Sequence, residues 1–287
     1  MQVGESPLWI ADKGSLYWTD ILAKKVFRSA KGADWQTFDS EQAIGCFARS
    51  RDGSFIAATE NGFAKMRLEK SHVVLETVEP CLADDPDSRM NDGRCDRQGR
   101  FWASSMSWRP SIDRLSGKLY RLDAEGTASP VVHDLIIPNG LAFSPDGKTM
   151  YLSDSHPAVS TVWAYEFDRD DGTPHCRRVF LEMGGSLGRP DGATVDEDGC
   201  YWVAATDAGR ILRVTPTGDI DQVIEVPVPN PTMPCFGGTL LEELFITSAR
   251  KQSVDDGDRY GPSPDGGIFH VATPYKGVPE DLYVGGT

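Results

Sequence analysis

The chain of 287 residues is short of positive charge: 29 Lys and Arg stand against 43 Asp and Glu, a formal net charge of −14. That deficit excludes a binder of nucleic-acid backbones, whose affinity rests on clustered cations, and equally a protein that docks on an anionic membrane surface. No apolar run approaches the roughly 18 residues that a membrane-spanning helix needs. The opening stretch Met1-Gln2-Val3-Gly4-Glu5 carries neither a basic nor an apolar leader segment, so a cytoplasmic location is expected. Cysteine is sparse and scattered: Cys46, Cys81, Cys95, Cys176, Cys200 and Cys235 form no CxxC pair, which excludes a zinc ribbon or a thioredoxin-type motif. Reduced thiols acting as small buried hydrophobes are the expectation. The five histidines form no metal-binding cluster, and only His156, just after a strand end, is retained as a candidate pocket residue. Amphipathic helical stretches are also missing. What remains is ordinary globular material, 39% hydrophobic and 25% charged, in a length that suits one large domain spanning 1–287.

That material is repetitive. A Gly followed by alternating apolar and aromatic residues recurs as Gly14-Ser15-Leu16-Tyr17-Trp18, Gly53-Ser54-Phe55-Ile56, Gly99-Arg100-Phe101-Trp102, Gly147-Lys148-Thr149-Met150-Tyr151 and Gly199-Cys200-Tyr201-Trp202. A sixth copy, without the Gly, is Glu243-Leu244-Phe245-Ile246. The period is about 46 residues, in the range of propeller blades. Each copy is followed by a second alternating phrase, such as Gly117-Lys118-Leu119-Tyr120 or Gly209-Arg210-Ile211-Leu212, which reads as the next strand. Asp-Gly pairs at Asp52, Asp146 and Asp198 supply the positive φ of tight hairpins. The pattern predicts an all-β, six-bladed β-propeller forming one domain; a β-sandwich would lack the long period.

Four polar segments depart from the repeat: Gly4-Glu5-Ser6-Pro7, Arg89-Met90-Asn91-Asp92-Gly93, Pro138-Asn139-Gly140 and Arg189-Pro190-Asp191-Gly192. Asn91, Asn139 and Asp191 each precede the Gly of the following phrase by 8 residues, and Glu5 does so by 9. Equal offsets place these side chains at one height on the innermost strands, facing the axis. Singly, Asn-Gly and Asp-Gly are turn dipeptides. Jointly, two carboxylates and two amides form an oxygen-only set suited to one hard divalent cation, with Ca, Zn, Mg and Mn all admitted. The same offset meets Gly45 in the second repeat and roughly Cys235 in the sixth, which leaves one side of the ion open.

These motifs, together with Leu8-Trp9, Leu16-Tyr17-Trp18-Thr19-Asp20-Ile21 and Phe245-Ile246-Thr247-Ser248-Ala249, resemble the SMP-30/gluconolactonase/regucalcin-like family over nearly the whole chain. The resemblance implies hydrolysis of a small sugar-acid lactone with a bound divalent cation. It matches Glu5, Asn139 and Asp191 to metal ligands, and Arg89, Asn91 and Asp92 to the substrate-contacting stretch. Asp191 is the candidate general base, as a ligand that also reaches the attacking water. Two departures stand out: only a few residues precede Gly4-Glu5, so a short ring-closing strand is expected, and Met106-Ser107-Trp108-Arg109-Pro110 lacks the acidic substrate residue that some members carry there. Arg109, with Arg89 and Arg189, makes an anionic lactone such as a sulfo- or phospho-sugar lactone a candidate substrate. A metal-dependent aryl-ester or phosphotriester hydrolase, a non-catalytic calcium-binding regulator and a protein-interaction propeller stand as alternatives. A monomer or small homo-oligomer is expected.

Overall fold

A computed structural model describes residues 1–30, 34–250 and 264–285. The two recurring phrases form the second and third strands of successive antiparallel meanders. The first meander is β1 (Gly4–Ile10), β2 (Ser15–Asp20), β3 (Lys25–Ala30) and β4 (Gln36–Asp39). The second is β5 (Ile44–Arg49), β6 (Phe55–Thr59), β7 (Gly62–Glu69) and β8 (His72–Glu79). A single parallel pairing, Asp39 with His72, joins these two into one eight-stranded sheet. Three four-stranded sheets follow. They are β9 (Ser88–Cys95), β10 (Phe101–Ser107), β11 (Gly117–Leu122) and β12 (Ala128–Leu135); then β13 (Pro138–Phe143), β14 (Thr149–Asp154), β15 (Thr161–Asp168) and β16 (Thr173–Glu182); then β17 (Arg189–Val195), β18 (Tyr201–Thr206), β19 (Arg210–Val214) and β20 (Ile220–Glu225). The last sheet has three strands, β21 (Pro231–Gly237), β22 (Glu243–Ser248) and β23 (Ile268–Ala272). Among the described residues the only helical pieces are short 3₁₀ turns at Ala11–Lys13 and Gly185–Leu187.

The arrangement is all-β and propeller-like. The first strand of each meander lies innermost, and these strands touch in a closed cycle: β1 to β5, β5 to β9, β9 to β13, β13 to β17, β17 to β21, and β21 back to β1. Between consecutive meanders the sheets pack face to face. Cys46, Ile56 and Phe63 meet Met90, Phe101 and Tyr120, while Trp102 and Leu119 meet Phe143, Met150 and Phe167. Across the closing seam Trp9 stacks on Phe245, ring centroids 5.6 Å apart. Large side chains with no accessible surface, such as Trp102 and Trp202, each contribute about 2–3 kcal/mol of burial. Four of the cysteines, Cys46, Cys95, Cys200 and Cys235, are core residues as expected, whereas Cys176 is exposed.

A second repeat holds the hairpins. In Asp96-Arg97-Gln98-Gly99-Arg100-Phe101-Trp102 the Asp96 carboxylate accepts from the backbone N–H groups of Gln98 and Arg100 and from Trp102 Nε1 at 2.9 Å. Asp196 does the same for Cys200 N and Trp202 Nε1. Each carboxylate thus fastens the turn to the strand that follows it.

Candidate functional site

Every inner strand breaks register once, at the same point. The breaks fall between Glu5 and Leu8, Ile44 and Cys46, Met90 and Gly93, Asn139 and Ala142, Pro190 and Ala193, and Pro231 and Met233. A β-bulge re-aims a side chain and bends its strand. Glu5 and Asn139 open their bulges, while Asn91, Asp92 and Asp191 lie inside theirs. The matched offsets in the sequence therefore have a structural cause, a bulge repeated around the ring. In the sixth inner strand the bulge carries Thr232, not Cys235, and the Thr232 hydroxyl is turned away onto the Gly4 carbonyl. In the second it carries Gly45, where an added Cβ would come within 2.4 Å of the Asn91 carbonyl oxygen.

The bulges bring together residues from opposite ends of the chain. Glu5 is buried, and its carboxyl is pushed well above the usual carboxylate range, first by desolvation and then by the charges of Asp191 and Asp92. One of its oxygens accepts from Ser6 N at 3.1 Å. Asp191 remains partly accessible, and its carboxyl is pushed up to about 7, again chiefly by desolvation, with Arg189 opposing and Asp92 reinforcing the shift. Asn139 is buried, and its Oδ1 has no hydrogen-bond partner, while its Nδ2 donates to Ser155 Oγ at 3.1 Å. Next to Asn139, Gly140 adopts φ +60, and a Cβ there would meet Tyr201 Oη at 2.4 Å and the Asp191 carbonyl at 2.9 Å. Tyr201 Oη in turn donates to the Gly140 carbonyl at 2.7 Å.

Arg89 supplies the positive charge. Desolvation lowers its guanidinium to about 10, against the opposing pull of Glu5 and Asp191. Its Nη1 donates to Asn91 Oδ1 at 2.7 Å and to the Met90 carbonyl at 2.9 Å, its Nε is buried without a partner, and its plane lies 5.2 Å from the Trp108 ring centroid. The amide oxygen of Asn91 is thus taken by Arg89, and its Nδ2 donates to the Pro138 carbonyl at 3.0 Å. Asp92 is buried and accepts from Leu141 N at 2.9 Å, fastening β9 to β13. Arg109 stands exposed on the loop after β10, beside Trp108. Arg189 is tied to Asp207 at 2.6 Å and to the Ser155 carbonyl at 3.0 Å. The Nδ1 of His156 accepts from Ala158 N at 3.2 Å, which commits that nitrogen to a local turn.

Three contributors escaped the sequence reading: Ser155, Tyr201 and Trp108. Ser155 sits one residue before His156, the position that drew attention, and Trp108 one before Arg109. Their roles arise across strands, where spacing carries no signal. A separate donor set, Glu166, His175 and Cys176, lies exposed on the outer strands β15 and β16, away from the ring of inner strands.

Two desolvated carboxylates of like charge and an orphaned amide oxygen form a hard, oxygen-only donor set that a divalent cation fits. Without the cation the set costs stability, and the pH dependence has a definite sign. The folded carboxyls sit above their unfolded values of about 4, so between pH 4 and about 7 the native state binds more protons than the unfolded state. Stability then falls as pH rises through that window. Exposed acids held low, such as Asp52 at about 2 through Lys65 and Ser54, act in the opposite sense only at more acid pH. Chelator-treated protein is expected to melt on the order of a few degrees higher at pH 5.5 than at pH 7.5, with an added divalent ion narrowing the gap. Calorimetry at the two pH values checks this, and a reversed slope contradicts it.

The family model described as the SMP-30/Gluconolactonase/LRE-like region matches residues 3–250. A 6-deoxy-6-sulfogluconolactonase of Pseudomonas putida is 39% identical, the match covering 99% of this chain and 95% of that protein. A regucalcin of Xenopus laevis is 33% identical over the same shares of the two chains. The crystal structure of a calcium-binding protein, regucalcin, from Agrobacterium tumefaciens superposes with a TM-score of 0.90 at 28% identity, covering 99% of this chain and 94% of that one.

Proposed function

The chain belongs to the SMP-30/gluconolactonase/LRE-like family, and from that premise we propose that it is a divalent-metal-dependent lactonase that hydrolyses a sugar-acid lactone to the free aldonic acid. The observation that carries the reading is the desolvated Glu5–Asp191 pair with the partnerless Oδ1 of Asn139, set beside the Arg89 guanidinium. We read the eight-stranded sheet as two blades joined at their outer edges, so the closed cycle of inner strands makes a six-bladed propeller in one domain. The site then lies on its axis.

In this reading Glu5, Asn139 and Asp191 hold the cation, which is Ca, Mg, Mn or Zn. When bound, it supplies Lewis acidity toward the lactone carbonyl and lowers the pKa of water. Asp191 takes the proton from the attacking water as the water oxygen bonds to the carbonyl carbon. As the bond from the carbonyl carbon to the ring oxygen breaks, Asp191 returns the proton to that oxygen, and one water has been added across one ester bond. Arg89, whose charge is felt by Glu5 and Asp191, orients the substrate. Asn91 holds the Arg89 fork in place, and Asp92 supports the stretch from behind.

An anionic substituent on the lactone is the favoured substrate feature. The relative named for a sulfonated lactone spans nearly the whole chain, and Arg89 keeps an unpartnered Nε–H. Arg109 is the outer contact for that substituent. The test is proton release on neutral and anionic aldonolactones, with and without chelator, against the spontaneous rate. Chelator-sensitive hydrolysis restored by a divalent ion is expected. Arg109→Ala is expected to raise KM for the anionic lactone about tenfold while leaving the neutral one nearly unchanged. No rate above the blank with stoichiometric metal bound would favour the regulator or ester-hydrolase readings, and equal KM effects would remove Arg109 from the site.

A further inference from the structure

Ser155 is buried immediately after β14, and all of its polar groups are committed. Its N–H donates to the Ile137 carbonyl at 2.9 Å, and its own carbonyl accepts from Arg189 Nη1 at 3.0 Å. Its hydroxyl donates to the carbonyl of Pro190, the residue before Asp191, and accepts from Asn139 Nδ2 at 3.1 Å. The proton count decides the orientation of the amide. A hydroxyl has one hydrogen, and a carbonyl can only accept, so that hydrogen belongs to Pro190. What faces Asn139 is therefore a lone pair, which only the NH₂ end of the amide can satisfy. The Oδ1 end is left pointing away, buried and without a partner.

We propose that Ser155 is the positioning residue of the site: its hydroxyl orders the Asn139 amide so that Oδ1 is presented as a ligand, and ties β13 to β17 at the carbonyl next to Asp191. The bulged strands leave the two ligands on separate sheets, joined here through one oxygen atom. The inference rests on the reading of Glu5, Asn139 and Asp191 as a metal site. Outer partners of this kind typically change metal affinity by about 10–100-fold when removed.

The test uses Mn²⁺ alone as the probe, titrated into chelator-treated full-length protein and followed by the electron spin resonance of the free ion. Ser155→Ala is expected to weaken Mn²⁺ binding at least about tenfold, with the variant still folded by circular dichroism. Ser155→Thr, which keeps the hydroxyl, is expected to recover most of that affinity. In an Asn139→Asp background either side-chain atom offers oxygen, so Ser155→Ala is expected to cost less than about threefold there. Wild-type affinity in Ser155→Ala, or an equal loss in both backgrounds, overturns the positioning role while leaving the metal site standing. Absence of Mn²⁺ binding by the wild-type protein overturns the metal site itself, and the role with it.

Discussion

Asp191→Asn is expected to lower kcat on a sugar lactone by about 10³-fold or more, because in the proposed reading one substitution removes both a charged ligand and the base that moves the proton. Either loss alone is large. The same variant is expected to melt no lower than wild type when both are metal-free at pH 7.5. The wild-type carboxylate is desolvated and faces Asp92 and Glu5, so its charge opposes folding until a cation neutralises it. Asparagine keeps the shape and removes the charge. Steady-state kinetics and calorimetry on the same preparation check both halves. Retention of a tenth of the wild-type kcat would remove Asp191 from the chemistry, and a large loss of metal-free stability would mean that its role is in folding. The pairing of lost activity with retained stability is the signature of a strained functional site.

Asp196→Ala should behave in the opposite way, losing stability rather than chemistry. Asp196 is inaccessible and accepts from Cys200 N at 2.9 Å, Trp202 Nε1 at 2.8 Å and Arg213 Nε at 2.7 Å. Arg213 is itself buried over the Tyr275 ring, 3.8 Å from its centroid. Removing the carboxylate strands an indole N–H and a backbone N–H and weakens the neutralisation of a buried cation. Breaking a buried pair in this way costs about 3–5 kcal/mol. Asp198, 2.9 Å from Arg213 Nη2, and Asp221 still partner the guanidinium, so the lower end, about 3 kcal/mol, is expected. That corresponds to a fall in Tm of roughly 10 °C. Denaturant unfolding followed by the tryptophan fluorescence measures it. A change below about 1 kcal/mol would show that Arg213 is satisfied by its outer partners and that the turn repeat is not under load.

The two aspartates also mark how much could be read beforehand. Asp196 and its counterpart Asp96 each stand three residues before a Gly and six before a Trp, a local pattern; the partners of Asp96, Arg100 included, lie within one hairpin, whereas Asp196 also takes Arg213 from the next strand. The shared height of Glu5, Asn139 and Asp191 on bulged inner strands was legible through their offsets, because a bulge recurring at one height leaves a regular trace in the spacing. Asn91 was legible as an inner-strand position but not as the acceptor for Arg89, and Asp92 was not legible as the fastener of β9 to β13. The sixth offset was read at roughly Cys235, whereas the bulge carries Thr232, because the sixth copy lacks the Gly from which the offset is counted.

By itself the sequence determined the strand phrases, their period, the turns and the height at which polar side chains enter the axis, since each depends on residues near one another along the chain. Only the tertiary structure decided which of those side chains keep a free oxygen and which are consumed in holding their neighbours. That outcome depends on contacts between adjacent inner strands, such as Ser155 with Asn139 and Pro190, and each hydroxyl or amide has a fixed number of protons to distribute among whatever the fold brings within reach.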